Sequence, residues 1–296
     1  MLDLNKNLPY FFILPAVLAV LALVALGLWG LKPSVDLAGG SLLQVTFDQQ
    51  RPTVEQIQQT LTPLGIGTVL VQPTGQQDYT LSARTLTVAE KDSVESALGT
   101  LGPLQEDQFT SISPSIGADL LDKGLISLGL VVVCIILFIA FAFRKVSKPV
   151  ASWKYGVVAI VTLLFDVLVP VGVFAMLGHL WGAEVDSLFI VALLTILGIS
   201  INDKIVVFDR IRENLQHAAG RGAFADIVSR SIRQTLARSI NTSLTVVIML
   251  LALYILGPAT TQVFALTLTV GMIIGTYSSI FFASPLLVQW EKWSRS

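Results

Sequence analysis

Charged residues are scarce in this 296-residue sequence: they make up 13% of it, whereas hydrophobic residues make up 53%. Soluble domains contain about 25% charged residues. The composition therefore excludes an ordinary soluble protein and is typical of an integral membrane protein. The formal net charge is −1, which gives no reason to expect a nucleic-acid partner.

Cysteine and histidine are nearly absent as well. The single cysteine, Cys134, lies in an apolar run and cannot form an internal disulfide. The two histidines, His179 and His217, are far apart in the sequence, and no cluster of His, Cys or paired acids accompanies them. We therefore expect no metal site and no cofactor.

Long apolar runs are abundant. A helix needs about 20 apolar residues to cross a hydrocarbon core of about 30 Å. Six runs approach or exceed that length, and they lie at 8–31, 125–143, 155–177, 187–208, 240–256 and 263–290. The first run is longer than the apolar part of a cleaved signal peptide, which is about 7–15 residues, so we expect a retained anchor.

Lys and Arg residues between the runs predict the orientation. The connections 144–154 and 209–238 contain four and six of them, whereas 179–186 and 257–262 contain none. Both termini are therefore expected in the cytoplasm, together with the two basic connections. The predicted organisation is a first span (1–31), an extracytoplasmic domain (32–123), a five-helix bundle (124–290) with cytoplasmic loops at 144–154 and 209–238, and a cytoplasmic tail (291–296).

Residues 32–123 have the composition of a soluble domain, with eleven acidic and five basic residues. Strand patterns occur at 41–47, 67–72, 78–83 and 105–113. Two helices between them each begin with a capping box, formed by Thr53 with Gln56 and by Thr87 with Glu90. The order β-α-β-β-α-β predicts a ferredoxin-like α+β domain, a fold that does not by itself identify a function.

Polar residues interrupt the apolar runs. A charge at the bilayer centre costs about 2.5–3.5 kcal/mol on insertion scales, so intramembrane ionisable residues usually serve a function. Asp203 is either a hydrogen-bonding partner that holds helices together or a proton-carrying carboxylate, for which Arg238 is the candidate cation. Arg238 is equally consistent with a lipid-phosphate anchor. Asp166 allows the same two interpretations as Asp203, and Lys204 is expected to snorkel to the interface.

Small residues mark candidate helix contacts. Gly271 and Gly275 form a GxxxG pair in the sixth run, and Gly198 is a further candidate. The stretch 239–243 adds hydroxyl and amide side chains at the start of the fifth run. The preceding stretch 224–236 places its apolar residues on one face and predicts an amphipathic surface helix.

Several blocks resemble those of the SecF family of Sec-translocase membrane subunits: "SINDKIVVFDRIREN" (200–214), "QTLARSINTS" (234–243) and "GTYSSIFFAS" (275–284). "DLAGG" (36–40) is similar to the family's "DFTGG", and "ISPSIGADLLDKG" (112–124) to its entry into the second span. The sequence departs from the family pattern at Ile199, where Tyr is usual, and at Lys204, where a small hydroxyl residue is usual.

The resemblance implies a six-span half of an RND-type transporter, without enzyme activity, in the inner membrane of a bacterium or a thylakoid-like membrane. Its implied partners are SecD, the SecYEG channel, the SecA ATPase, unfolded preproteins and membrane lipids. The complex would use a proton or sodium gradient to drive late steps of polypeptide export. The resemblance assigns Asp203, Arg238 and Asp166 to the proton path, and the predicted coupling site also includes their neighbour Asn202.

Three alternatives remain open at this point. An RND-type exporter of small molecules or lipids shares the topology but usually has larger outer domains and both halves on one chain. A passive assembly subunit would tolerate neutralisation of Asp203. An intramembrane hydrolase would need two facing acids, whereas the positions of Asp166 and Asp203 in their runs predict different depths.

Overall fold

The computed structural model describes residues 8–48, 51–74, 77–142, 152–218 and 223–294. The chain divides into two compact units. The helical unit comprises residues 1–32, 125–184 and 188–296, and the second unit, called here the sheet domain, comprises 33–124 and 185–187. Within the described ranges six helices are long and apolar enough to cross a membrane.

The elements follow one another along the chain with short connections. In order they are α1 (Tyr10–Trp29), α2 (Val35–Ala38), β1 (Gly40–Phe47), α3 (Val54–Leu61), a 3₁₀ turn (Thr62–Leu64), β2 (Leu70–Pro73), β3 (Asp78–Ala83), α4 (Val88–Gly99), β4 (Leu104–Ile112), α5 (Pro114–Ala142), α6 (Ser152–Trp181), α7 (Ser187–Ala218), α8 (Phe224–Leu256), α9 (Ala259–Ser278), a π-helical turn (Ser279–Ala283) and α10 (Ser284–Trp293).

The sheet domain has the predicted ferredoxin-like organisation. Its four strands form one sheet in the order β2-β3-β1-β4, and all of the pairings are antiparallel. Both capping boxes form. The side chains of Thr53 and Thr87 each accept a hydrogen bond from the backbone N–H three residues on, and the side chains of Gln56 and Glu90 accept one from the backbone N–H of these threonines. The core between sheet and helices includes the fully buried Phe47.

Two consecutive glycines lie at the start of β1, Gly39 just before the strand and Gly40 as its first residue, and both have a positive φ. Gly39 has φ 79° and Gly40 has φ 145°. A Cβ at Gly39 would overlap the backbone of Pro114, and one at Gly40 would lie 2.6 Å from the carbonyl oxygen of Ala83. Only glycine fits both the conformation and the space, which explains why "DLAGG" ends as it does.

The helices α7 and α8 continue well past the predicted spans. They contain 32 and 33 residues, so most of the predicted loop 209–238 is helical. The amphipathic helix predicted at 224–236 forms as the first part of α8. Its predicted place at a membrane surface is wrong, because Phe224, Val228 and Ile232 are buried in one apolar cluster with residues at the end of α7, including Ile211. That apolar extension of α7 gives the start of α8 a surface to bury against.

The other connections are only partly described. Residues 143–151, which make up most of the predicted loop 144–154, lie outside the described ranges, and the following residues begin α6. The predicted tail starts inside α10, which ends at Trp293. The sixth span consists of α9, the π-helical turn and α10. Turns of this kind are rare and often occur at functional sites.

Candidate ion-coupling site

A buried ion pair joins α6 to α7. The ammonium of Lys204 contacts Oδ2 of Asp166, and neither side chain has any exposed surface. The prediction that Lys204 snorkels to the membrane surface is therefore wrong: the side chain points into the bundle, where the Asp166 carboxylate compensates its charge.

Two serine hydroxyls surround the ammonium of this ion pair, whereas Asp166 Oδ1 has no hydrogen-bonding partner among the described residues. The Lys204 ammonium donates to Ser200 Oγ at 2.6 Å and to Ser278 Oγ at 3.1 Å. Ser200 in turn donates to Asp166 Oδ2. An ammonium has three N–H donors, and here each of them has an acceptor. A buried ion pair persists only when such additional hydrogen bonds offset the loss of hydration.

Asp203, the next residue toward the N-terminus from Lys204, is half-buried and meets different helices. Its Oδ1 accepts a hydrogen bond from Ser239 Oγ of α8 at 2.6 Å, and its Oδ2 accepts one from Ser279 Oγ of the π-helical turn at 2.7 Å. Asp166 and Asp203 thus face separate sets of hydroxyls and not each other. This separation removes the paired acids that the hydrolase alternative requires.

The predicted cation partner of Asp203 is placed elsewhere. Arg238 is exposed, and the ion pairs among the described residues do not join it to Asp203. The neighbouring Ser239 takes that place. The sequence shows a polar stretch that contains Ser239, but nothing in its spacing indicates that Ser239 or Ser279 contacts Asp203.

Two consecutive residues of α7 meet two consecutive residues of the sixth span. Lys204 contacts Ser278, the last residue of α9, and Asp203 contacts Ser279, the first residue of the π-helical turn. The hydroxyls of Ser278 and Ser279 also lie 3.1 Å and 2.5 Å from the carbonyl oxygen of Gly275. Successive residues of a helix are about 100° apart, so the side chains of Asp203 and Lys204 point to different sides of α7. Their serine partners nevertheless share one acceptor, the carbonyl oxygen of Gly275.

The glycines differ in their surroundings. A Cβ at Gly271 would overlap the side chain of Ile196, and one at Gly275 would lie 3.1 Å from Ser200 Oγ. These two glycines therefore allow α9 to approach α7, as the GxxxG pattern predicts. A Cβ at Gly198 would meet no atom within 4 Å, so the packing role predicted for Gly198 is not found among the residues that the structure describes. Asn202 is exposed on α7.

Comparison with known proteins identifies the family. Residues 93–293 match the family model for the protein export membrane protein SecD/SecF, C-terminal, and residues 29–50 match the SecD/SecF GG motif. The chain is 40% identical to protein translocase subunit SecF of Thermobaculum terrenum, over 98% of this chain and 94% of that protein. It is 31% identical to protein translocase subunit SecDF of Bacillus subtilis, over 98% of this chain and 38% of that protein.

A solved structure gives the same result. The crystal structure of SecDF, a translocon-associated membrane protein from Thermus thermophilus, matches with a TM-score of 0.86 at 30% identity, over 99% of this chain. The chain spans 39% of that SecDF chain, whereas it spans nearly all of the separate SecF subunit. The two glycines at the start of β1 lie within the matched GG motif. With its six apolar helices and ferredoxin-like domain, the chain belongs to the SecD/SecF family of multi-pass protein translocase subunits.

Proposed function

We propose that this chain is the SecF-type half of a SecD–SecF complex that uses the proton-motive force to drive late steps of preprotein export. The observation that carries the proposal is the carboxylate of Asp203 in a membrane span, held by the hydroxyls of Ser239 and Ser279 from two other segments. An acid at this contact of three segments can carry a proton. When ionised it only accepts hydrogen bonds, and when protonated it also donates one.

The hydroxyl of Ser279 links protonation to helix contacts. It has one proton and two acceptors, Asp203 Oδ2 at 2.7 Å and the Gly275 carbonyl oxygen at 2.5 Å. When Asp203 is ionised, Ser279 donates to it. When Asp203 is protonated, the acid donates to Ser279 Oγ and the hydroxyl proton turns to Gly275. Proton binding thereby changes the contact between α7 and the π-helical turn.

The energy available is sufficient for such a switch. One proton that crosses about 100 mV releases about 2.3 kcal/mol, and a pH difference of one unit adds about 1.4 kcal/mol. About 5.5 kcal/mol moves a two-state equilibrium from 1:99 to 99:1. Two protons per cycle are therefore enough. Arg238 precedes Ser239 on α8, and we assign it to Asp203 in the second conformation of the bundle.

A SecD-type half is the proposed neighbour in the membrane. The relative from Bacillus subtilis is named SecDF, and this chain matches 38% of it. Asn202 of α7 and Asn241 of α8 are exposed on the isolated chain. An amide in lipid needs a hydrogen-bonding partner, so a polar surface of a second half would cover these residues. SecYEG, SecA and the unfolded preprotein would be reached through this complex.

The proposed orientation follows the distribution of basic residues. Both termini would face the cytoplasm of a bacterium, and the sheet domain would face the opposite side of the inner membrane, where it can contact emerging preprotein. α1 and α5 flank this domain in the chain. Movement of the bundle would therefore be transmitted to the sheet domain through both of its connections.

Preprotein translocation into inverted membrane vesicles, with and without an ionophore, tests the proposal. Asp203→Asn keeps the size of the side chain and removes its titration, so ionophore-sensitive translocation should fall to the ATP-only level. Asp209→Asn, an exposed change on the same helix, is the matched control and should keep full stimulation. Full stimulation in Asp203→Asn vesicles would instead support the passive assembly subunit.

Arg238 provides a graded test in the same assay. Arg238→Lys keeps the positive charge but loses the planar arrangement of donors, so it should retain part of the ionophore-sensitive component. Arg238→Ala should remove that component. Equal activity of the two variants would exclude a charge-dependent role of Arg238 in coupling.

A further inference from the structure

The ammonium of Lys204 occupies a cage of oxygen atoms. Its contacts are Asp166 Oδ2 from α6, Ser200 Oγ of its own helix at 2.6 Å and Ser278 Oγ from α9 at 3.1 Å. All four residues are buried, with at most 4% of their surface exposed. The cage is thus built from three helices around a single positive charge.

One carboxylate and two hydroxyls also form a set of ligands suited to a hard metal cation. Sodium carries the same single charge as the ammonium and binds the same oxygen atoms. Without a cation, Asp166 would be a buried lone carboxylate, which is strongly unfavourable. One positive charge beside the ionised Asp166 compensates it, and the sequence supplies that charge covalently as Lys204.

We propose that Lys204 determines ion selectivity: its ammonium is a tethered cation that occupies the position beside Asp166, Ser200 and Ser278 and excludes sodium from it. This inference rests on the proposed function, because it assigns the coupling in this chain to protons. Asp203 is directed away from the cage toward Ser239 and Ser279, so the coupling carboxylate and the pair of Lys204 and Asp166 use separate contacts.

The test measures thermal unfolding of the purified full-length chain in detergent. Sodium chloride is compared with choline chloride at equal ionic strength. The wild-type midpoint should be the same in both salts. Lys204→Thr, which removes the ammonium and adds a hydroxyl, should have a lower midpoint in choline and recover in sodium. Above the dissociation constant, each tenfold increase in sodium should raise its midpoint by about 2–4 °C.

Matched variants make each outcome decisive. In the Lys204→Thr background, Asp166→Asn should abolish the sodium effect, whereas Asp203→Asn should preserve it. Sodium-specific stabilisation of the wild type that is lost in Asp166→Asn would overturn the inference. A folded Lys204→Thr chain without any sodium effect would also overturn it.

A variant that fails to fold is also informative. The neutral double variant Lys204→Met/Asp166→Asn leaves no charge in the cage and should be stable in either salt. If this chain is recovered while Lys204→Thr is not recovered even in sodium, sodium does not replace the ammonium and the inference is wrong. Direct binding of radioactive sodium gives the same comparison without a folding readout. These measurements need no translocation, so their failure is separate from failure of the vesicle assay.

Discussion

Ser279 Oγ lies 2.7 Å from Asp203 Oδ2, and Ser279 is the first residue of the π-helical turn that interrupts the sixth span. The carboxylate of α7 is thus hydrogen-bonded at the point where the regular helical hydrogen bonds of α9 end. Under the proposed function, a change at Asp203 would therefore act on a segment whose backbone geometry is already irregular, and not on the middle of a rigid helix.

Replacement of Ser279 tests this relationship. Ser279→Ala removes one of the two hydroxyl donors to Asp203, and a hydrogen bond to a charged group contributes about 1.5–3 kcal/mol. We expect ionophore-sensitive translocation to fall about tenfold or more, with the ATP-only rate unchanged. Ser229→Ala is the control, because the buried Ser229 hydroxyl donates to the Ala225 carbonyl of its own helix. Equal activity of the two variants would remove Ser279 from the coupling site.

The ion pair of Lys204 and Asp166 should behave as a coupled unit. Removal of one partner of a buried pair costs about 3–5 kcal/mol, whereas replacement of both by neutral groups is often close to neutral. Lys204→Met should therefore lower the free energy of unfolding strongly, and adding Asp166→Asn should restore most of it. Reversible unfolding of the full chain in mixed detergent measures both.

The exposed pair of Lys123 and Asp119 serves as the control for that cycle. Its side chains are 70% and 58% exposed, and exposed pairs contribute about 0–1 kcal/mol. Lys123→Met should therefore be nearly silent. If Lys204→Met is equally mild, the ammonium is not needed to compensate Asp166.

The fold was predictable where local patterns determine it. Each capping box depends on residues three positions apart, and each apolar run is visible without its neighbours. The fate of Lys204 was not predictable in this way, because its partner Asp166 is 38 positions away. The snorkelling prediction used the position of Lys204 within its own helix, whereas packing of α6 against α7 supplied a closer compensating charge.

The same limit applies to Asp203 and to the connection between α7 and α8. Arg238 has the expected charge, but the adjacent Ser239 is the residue that α8 turns toward Asp203. The arginines of 209–238 predicted an exposed loop, although the apolar residues between them pack against the end of α7. The charged residues alone did not indicate which faces of α7 and α8 would be buried against other helices.

A charge in the sheet domain gives a prediction about pH. The Arg84 guanidinium, followed by the backbone N–H of Thr87, lowers the pKa of Glu90 to about 2. A lowered pKa means that the ionised group stabilises the fold above the unfolded pKa of about 4.3, and that this stabilisation is lost as pH falls toward 2. A pH titration of the Glu90 carboxyl by NMR in the full chain should give a pKa of about 2. Arg84→Ala should raise it toward the unfolded value, and Arg51→Ala should leave it unchanged.

Gly271 and Gly198 form a matched pair for helix packing. A Cβ at Gly271 would overlap Ile196, whereas one at Gly198 would meet no described atom within 4 Å. Gly271→Ala should therefore destabilise the chain by about 1–3 kcal/mol through overpacking. Gly198→Ala should be neutral or stabilise by up to about 1 kcal/mol, because alanine favours a helix over glycine. Unfolding midpoints of the two variants decide the matter: destabilisation of Gly198→Ala to the same extent would mean that atoms outside the described residues pack against Gly198.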